Sequence, residues 1–277
     1  MESHSREKGS GVNKGSSPSS NPPKSRTASL SDRNHYSYRV YADGTTARAF
    51  DERRFGGPIG QFVASEQARV LANMVGRIAN RSILDVGTGT GRAAILMARG
   101  GARVTAVDAS EEMLAIARSR AVDEHLDVQF LPGDAHELEF PDRSFDVVIS
   151  LRMLMHARQW RACVGEMCRV ARRLVIVDYP STMSFALLEA VGRRVTYGLG
   201  MRTEPYRVLS HRAIDHAFAD TNFRIRSVHR QFVLPIAFHK AIGSTSFTKV
   251  TEKAFDRAGL IRLFGSPVTL VAERCEF

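Results

Sequence analysis

The sequence predicts an α/β fold with a doubly wound, mostly parallel sheet. Three observations lead to this prediction. Short apolar segments alternate with amphipathic ones from Arg81 onwards, a glycine-rich turn follows the first apolar segment, and acidic residues end successive apolar segments. Such alternation is typical of parallel βαβ units. Because 43% of the 277 residues are hydrophobic, we expect one sizeable core.

The chain that precedes the sheet divides into two parts. Residues 1–35 are rich in Gly, Ser and Pro and have almost nothing to bury, so we expect a disordered basic tail. Residues 36–80 predict an N-terminal helical cap, with an amphipathic helix over 57–78. Its apolar face comprises Phe62, Val63, Val70, Leu71, Met74, Val75 and Ile78.

The alternating region predicts the central elements in order. Glycines stop its first helix, while Ser110 can cap the second, which has acids in its first turn. The predicted elements are a strand over 81–87, a helix over 91–101, a strand over 103–109, a helix over 110–122, strands over 127–135 and 145–151, a helix over 159–172 and a strand over 173–180.

The pattern changes after Pro180. An inserted helix is predicted over 181–199 and a further helix, capped by Ser210, over 210–223. Closing strands are predicted over 224–235 and 267–274.

The stretch "SILDVGTGTGRAA", residues 82–94, predicts a ligand site. Gly87, Gly89 and Gly91 allow a tight turn and a close approach to the backbone, and the following helix offers free N–H groups. A purely structural strand-to-helix turn is the alternative. Arg92 stands where a dinucleotide-binding G-x-G-x-x-G loop has its third glycine, which disfavours a pyrophosphate ligand.

Acidic residues at three successive strand ends favour the ligand site over the structural turn. Asp108 lies 19 residues beyond Gly89, where an acid can accept both hydroxyls of a ribose. Asp134 ends the third predicted strand, where the amino group of an adenine could be read, and Asp85 precedes the glycines. Asp85 could either fix the loop or meet a cationic amino group, so it suits a ligand with an ammonium better than one with a pyrophosphate.

The segments "LDVGTGTGR", "VTAVDAS", "GDAHELEFPDRSFDVVIS" and "LMHARQW" resemble the class I S-adenosylmethionine-dependent methyltransferases, especially the small-molecule branch that includes quinone-biosynthesis enzymes. The resemblance is specific over residues 81–180 and implies a methyltransferase domain over 81–277. It implies a Rossmann-like sheet of seven strands, the last antiparallel, and S-adenosylmethionine as cofactor. The implied cofactor-binding residues are Asp85, Gly87, Thr88, Gly89, Gly91, Asp108, Ala109, Met113, Asp134, Ala135, Ser150 and Leu151.

The acceptor is predicted to be a small, apolar or aromatic molecule that is methylated at oxygen or carbon. The fourth strand is followed by "SLRM", whereas amino-methylating nucleic-acid enzymes of this class have an Asn/Asp-Pro-Pro-aromatic turn there. Cys163 and Cys168 lie five apart in a predicted helix, a position that favours a role in apolar packing over the role of nucleophile in a cytosine methyltransferase. Three alternatives remain: an RNA methyltransferase, a nicotinamide-dependent oxidoreductase and a cofactor-binding protein without catalysis.

His156, shortly after the fourth strand, is the candidate catalytic residue. It can act as a general base or merely orient its loop. His211 and His239 are weaker candidates, and Asp178 and Tyr179 could line the acceptor pocket. Residues 181–209 form a predicted inserted lid over the acceptor, with core packing as the alternative for its apolar side chains.

Charge and cysteine content set further bounds. The net charge of +10 includes seven Lys or Arg against three Asp or Glu in residues 1–40, which favours a basic tail over a nucleic-acid-binding stripe. The three cysteines lack zinc-ligand spacing and predict no metal site. Their odd number, the lack of an apolar run of about 18 residues and the lack of a secretory leader predict a cytoplasmic protein without a transmembrane segment.

Overall fold

The computed structural model describes residue 1 and residues 51–275, apart from residues 53 and 199–205. Most of the predicted tail therefore lies outside the described residues, as do the first part of the predicted cap and part of the predicted lid.

Seven strands form one sheet. They are β1 (Ser82–Val86), β2 (Arg103–Asp108), β3 (Val128–Pro132), β4 (Phe145–Ser150), β5 (Ala171–Tyr179), β6 (Phe223–Arg230) and β7 (Val268–Arg274). Their order in the sheet is β3-β2-β1-β4-β5-β7-β6. β7 pairs antiparallel with both β5 and β6, while the pairs among β1 to β5 are parallel. The predicted fold is confirmed, including the antiparallel last strand.

Besides the helical residues 51, 52, 54 and 55, nine helices with both ends in the described part of the chain accompany the sheet. They are α1 (Gly57–Val75), α2 (Arg92–Arg99), α3 (Glu111–Asp123), α4 (Trp160–Val170), α5 (Phe185–Gly198), α6 (His211–Ala219), α7 (Ile236–Ile242), α8 (Thr245–Arg257) and α9 (Leu260–Phe264). The predicted helix over 57–78 ends at Val75, because Gly76 adopts a φ of 72° and closes the helix. The sequence interpretation assigned no element to residues 236–266, where α7, α8 and α9 lie.

The core lies on both faces of the sheet. Successive residues of a strand point to opposite faces, so Ile83 packs with α1, α2 and α3 while Leu84 packs with α4 and α6. Both side chains are fully buried. Strands buried on both faces explain the nearly continuous apolar runs in the sequence. The polar groups that follow the strands are thereby left at one edge of the sheet.

Within the described residues, no helix has both the length and the apolar character that a membrane span requires.

Candidate active site

The three loop glycines adopt left-handed backbone conformations for different reasons. Their φ angles are 71°, 55° and 82° for Gly87, Gly89 and Gly91. A Cβ on Gly91 would lie 2.8 Å from Cβ of Ala117, and one on Gly87 would lie 2.7 Å from the Met153 side chain. A Cβ on Gly89 would meet no atom within 4 Å. Gly91 therefore permits helix packing, whereas Gly89 faces open space in a cavity.

Asp85 fixes the loop from inside the protein. It is only 1% exposed, and its Oδ2 accepts hydrogen bonds from Thr88 Oγ1 at 2.7 Å and from the Ala94 amide at 3.1 Å. Burial raises the pKa of Asp85 to about 6, although both hydrogen bonds oppose the shift. One of the two predicted roles, fixing the loop, is therefore visible in the structure. Asp85 also lines a cavity of about 220 Å³, so its carboxyl is placed to meet a cationic ligand, which is the second predicted role.

Asp108 connects the loop to the second strand. Its Oδ2 accepts a hydrogen bond from the Gly89 amide at 2.7 Å, and its Oδ1 accepts one from the Ser110 amide at 2.9 Å. Burial raises the pKa of this carboxyl as well. Asp108 lines the same cavity, so its carboxylate stands where ligand hydroxyls can reach it.

A cavity of about 220 Å³ lies between the glycine loop and the strand ends. Ten predicted site residues line it, namely Asp85, Gly87, Thr88, Gly89, Asp108, Ala109, Met113, Ala135, Leu151 and His156. The carboxyl ends of adjacent parallel strands bring them together, as expected for an open α/β sheet.

Gly91, Asp134 and Ser150 do not line this cavity. Ser150 is fully buried, and its Oγ donates to the Val86 carbonyl at 2.8 Å, which ties β4 to β1. β3 ends at Pro132, so Asp134 lies beyond the strand that it was expected to end. Its Oδ1 lies 2.7 Å from His136 Nδ1 and accepts the His136 amide at 2.9 Å. In this structure, these three residues shape the site without lining it.

The chain before α1 forms one wall of the cavity, which the sequence interpretation missed. Arg54 and Phe55 line it, together with Gln67 of α1. Arg92 lies over the Phe55 ring, with its guanidinium carbon 3.8 Å from the centroid. This cation–π contact gives the residue at the third-glycine position a packing role. No local signal pairs Phe55 with Arg92, since the contact joins distant segments.

Asp51 fastens this wall to the glycine loop. Thr90 Oγ1 lies 3.1 and 3.0 Å from the two Asp51 carboxylate oxygens, and Arg120 of α3 forms an ion pair with the same carboxylate. Arg120 also donates to the Thr90 carbonyl at 3.2 Å. The wall is therefore held by two segments that are distant from it in sequence, the glycine loop and α3.

A second cavity, of about 440 Å³, adjoins the first. The two share Arg54, Phe55, Gln67, Arg152 and His156. The second is also lined by Tyr206, Phe232 and Pro235 and by residues of α5. His156 follows a turn in which its amide donates to the Met153 carbonyl at 2.9 Å. The candidate catalytic residue thus lies where the two cavities meet.

The weaker histidine candidates have structural partners. His239 is 1% exposed, with Nε2 2.9 Å from Glu252 Oε1 and Nδ1 3.1 Å from Thr248 Oγ1. His211 Nδ1 lies 2.9 Å from the Tyr179 hydroxyl. Neither histidine lines a cavity described above. Asp178 is also structural, since its carboxylate accepts the Arg152 amide. Among the described residues, no group of His, Cys, Asp or Glu is arranged to hold a metal ion.

Comparisons with known proteins agree with this geometry. Residues 83–173 match the family described as a methyltransferase domain. A demethylmenaquinone methyltransferase of Thermus thermophilus is 38% identical over 107 residues, which cover 37% of this chain and 49% of the relative. The 27-O-demethylrifamycin SV methyltransferase of Amycolatopsis mediterranei is 38% identical over 131 residues, or 45% of this chain and 48% of the relative. The chain spans about half the length of these curated relatives.

The fold is also found in solved structures. The magnesium protoporphyrin IX methyltransferase of Synechocystis PCC 6803, solved with bound SAH, is similar with a TM-score of 0.60 and 17% identity. The similarity covers 87% of this chain and 98% of that one. At this identity the likeness establishes the fold.

Proposed function

We propose that the whole chain methylates an oxygen or carbon atom of a small, apolar or aromatic molecule. The proposal starts from residues 83–173, which form an S-adenosylmethionine-dependent methyltransferase domain. One observation carries the proposal. The cavity at the glycine loop shares five lining residues with a second, partly apolar cavity, and His156 is one of them. Two adjoining cavities suit a donor and an acceptor that must be aligned with each other.

The residues of the first cavity fit the cofactor. Gly89 leaves room where a side chain would project, and the buried Asp85 carboxyl can meet an ammonium group. Asp108 can accept the ribose hydroxyls, while Ala109, Met113 and Ala135 offer an apolar surface to the adenine. S-adenosylmethionine, when bound, supplies an activated methyl group on a sulfonium. Because the leaving group is already activated, the protein mainly has to align the acceptor and exclude water.

His156 is the group on the described chain that we propose as the base for a hydroxyl acceptor. It stands at the junction of the cavities, where an acceptor atom would approach the cofactor. An acceptor hydroxyl must lose its proton during or before methyl transfer, and a neutral imidazole can take it. For a carbon acceptor, His156 would instead orient its loop.

Two measurements test this function. S-adenosylhomocysteine should raise the melting temperature and NAD should not, because a ligand that binds the native state stabilises it by mass action. Isotope from methyl-labelled S-adenosylmethionine should enter small metabolites of a cell extract and not total RNA. Stabilisation by NAD alone would favour an oxidoreductase, and labelled RNA would favour an RNA methyltransferase. Cofactor binding with no transfer to either pool would favour a non-catalytic protein.

A further inference from the structure

The second cavity is strongly cationic. Among its described lining residues, four carry a positive charge, namely Arg54, Arg152, Arg193 and Lys240, whereas Glu189 carries the one negative charge. Phe55, Val63, Phe232 and Val233 line the same cavity. This excess of positive charge favours an acceptor that carries an anionic group over a wholly apolar one.

Glu189 already has a partner on its own helix. Its Oε1 lies 3.0 Å from Arg193 Nη2, at an i,i+4 spacing on α5. The Arg193 guanidinium also lies 5.5 Å from the centroid of the Tyr206 ring. The pair neutralises itself at one side of the cavity, so Glu189 does not compensate Arg152.

Arg152 is one of the five residues that line both cavities. Its backbone has a φ of 63°, and its amide donates to the buried carboxylate of Asp178. The side chain contacts Met155 Sδ through Nη2 at 3.5 Å. Its Nε is buried and has no hydrogen-bond partner among the described residues.

Among the described residues, no hydrogen bond joins the Asp178 carboxylate to Nε of this guanidinium. Its Oδ1 takes the Arg152 backbone N–H, and burial raises the pKa of this carboxyl while the Arg152 charge opposes the shift. The buried Nε of Arg152 thus has no hydrogen-bond partner in the described part of the chain, while the neighbouring Asp178 carboxylate accepts from the backbone. This arrangement suits an external anion. Arginine presents its donors in a planar fork that matches a carboxylate.

This inference rests on the proposed function and narrows its substrate class. We propose that the methyl acceptor carries a carboxylate beside its apolar part and that Arg152 binds this carboxylate in the second cavity. The apolar part packs among Phe55, Val63 and Phe232, and the anionic group fixes which atom of the acceptor faces the first cavity. Arg152 is thus a specificity-determining residue.

A matched pair of probes tests the proposal on the full-length protein loaded with S-adenosylhomocysteine. 2-Naphthoate and the neutral, nearly isosteric 2-naphthamide are titrated by calorimetry. We expect naphthoate to bind at least about tenfold more tightly, or by about 1.4 kcal/mol, since hydrogen bonds to charged groups are stronger than those between neutral groups. Arg152→Met should remove this preference and leave naphthamide affinity unchanged, while Arg152→Lys should retain part of it.

Arg194→Met is the matched control, because Arg194 lies on α5 but lines neither cavity and is exposed. It should leave the affinity of both probes within about twofold. Equal affinities of the two probes for the wild-type protein, or no binding of either, would overturn the proposal, and so would a naphthoate preference that survives in Arg152→Met. The wild-type comparison decides even if the variant does not fold. The proposed methyltransferase function fails separately, through absent binding of S-adenosylhomocysteine or absent methyl transfer.

Discussion

Asp85 and Asp108 hold the glycine loop in place through hydrogen bonds to its own backbone and side chains. Asp85 accepts from Thr88 and Ala94, and Asp108 accepts from Gly89 and Ser110. Both carboxyls also line the first cavity. A substitution at either position therefore changes the loop as well as any ligand contact, and ligand affinity alone does not separate the two roles.

The pH dependence of stability isolates the buried Asp85. Its pKa rises from an ordinary 3.8 to about 6 in the folded protein, so between these values the folded state holds a proton that the unfolded state has lost. The raised pKa therefore adds to the free energy of unfolding at low pH, by at most about 3 kcal/mol. This contribution is lost as pH rises through the folded pKa. We expect the stability of Asp85→Asn relative to wild type to improve between pH 4 and 6 and to stay constant above.

Urea unfolding at several pH values measures this difference. Asparagine keeps an acceptor oxygen for Thr88 and Ala94 but does not titrate. Asp123→Asn, on the exposed end of α3, is the control and should show no such pH dependence. A relative stability of Asp85→Asn that is independent of pH would contradict the prediction.

The role of His156 can be resolved by kinetics once an acceptor is in hand. If His156 is the base, His156→Ala should lower kcat about 100-fold or more with cofactor affinity within a few-fold, and the acidic limb of the pH–rate profile should flatten. His216→Ala, at an exposed position of α6, is the control and should behave as wild type. A parallel loss of turnover and cofactor affinity, with an unchanged pH profile, would assign His156 to the loop.

At the scale of elements, α7 and α8 position one wall of the second cavity. Glu252 of α8 accepts from the amides of Val233 and Leu234 at 2.8 and 3.2 Å and contacts His239 of α7. Val233 and Leu234 line the cavity directly. The buried Glu252 carboxylate thus holds this loop, because it accepts hydrogen bonds from two loop amides that, within the described chain, bond to no helix or sheet carbonyl.

We expect Glu252→Ala to lower the free energy of unfolding by about 2–4 kcal/mol, because it leaves two amides and a histidine without their buried partner. Binding at the second cavity should weaken, while affinity for S-adenosylhomocysteine should stay within a few-fold. Chemical denaturation and calorimetry measure the two effects. Asp256→Ala, an exposed position of the same helix, is the control. A loss below about 1 kcal/mol would show that the loop is held by other contacts.

The helix α5 remains the candidate for the predicted lid. Only Ala190 among its residues is buried, while Phe185, Leu188 and Val195 are 45%, 67% and 58% exposed. The alternative prediction, that the apolar side chains of this segment pack in the core, is therefore wrong for Phe185 and Leu188. Whether the helix closes over an acceptor stays a prediction.

At the scale of the whole molecule, the basic N-terminal tail is predicted to be dispensable. Removal of residues 1–35 should change the melting temperature by less than about 2 °C and leave cofactor affinity unchanged, because the segment has too little apolar area to contribute to a core. Thermal denaturation and calorimetry of the full-length and shortened proteins provide the comparison. A lost affinity for S-adenosylhomocysteine would show that the tail takes part in the first cavity.

The sequence by itself determined the order of the seven strands and of the helices α1 to α6, the turn at the glycine loop and the acids Asp85 and Asp108 at the ends of β1 and β2. It also determined the family resemblance, which the match of residues 83–173 to a methyltransferase domain confirms, and the fold, which a solved structure shares. Such features are local, because strand and helix periods, capping residues and glycine turns are encoded within a few neighbouring positions. The ten predicted residues that line the first cavity follow from them, since parallel strands end at one edge of the sheet.

Only the tertiary structure decided which residues complete the two cavities. Asp51 meets Arg120, Phe55 meets Arg92, and Arg152 stands at the junction of the two cavities. Whether Ser150 points into the cavity or ties two strands together also depended on the packing of neighbouring strands. These contacts join segments far apart in the chain, and the packing of helices and loops on the sheet, which no local pattern encodes, brings them together.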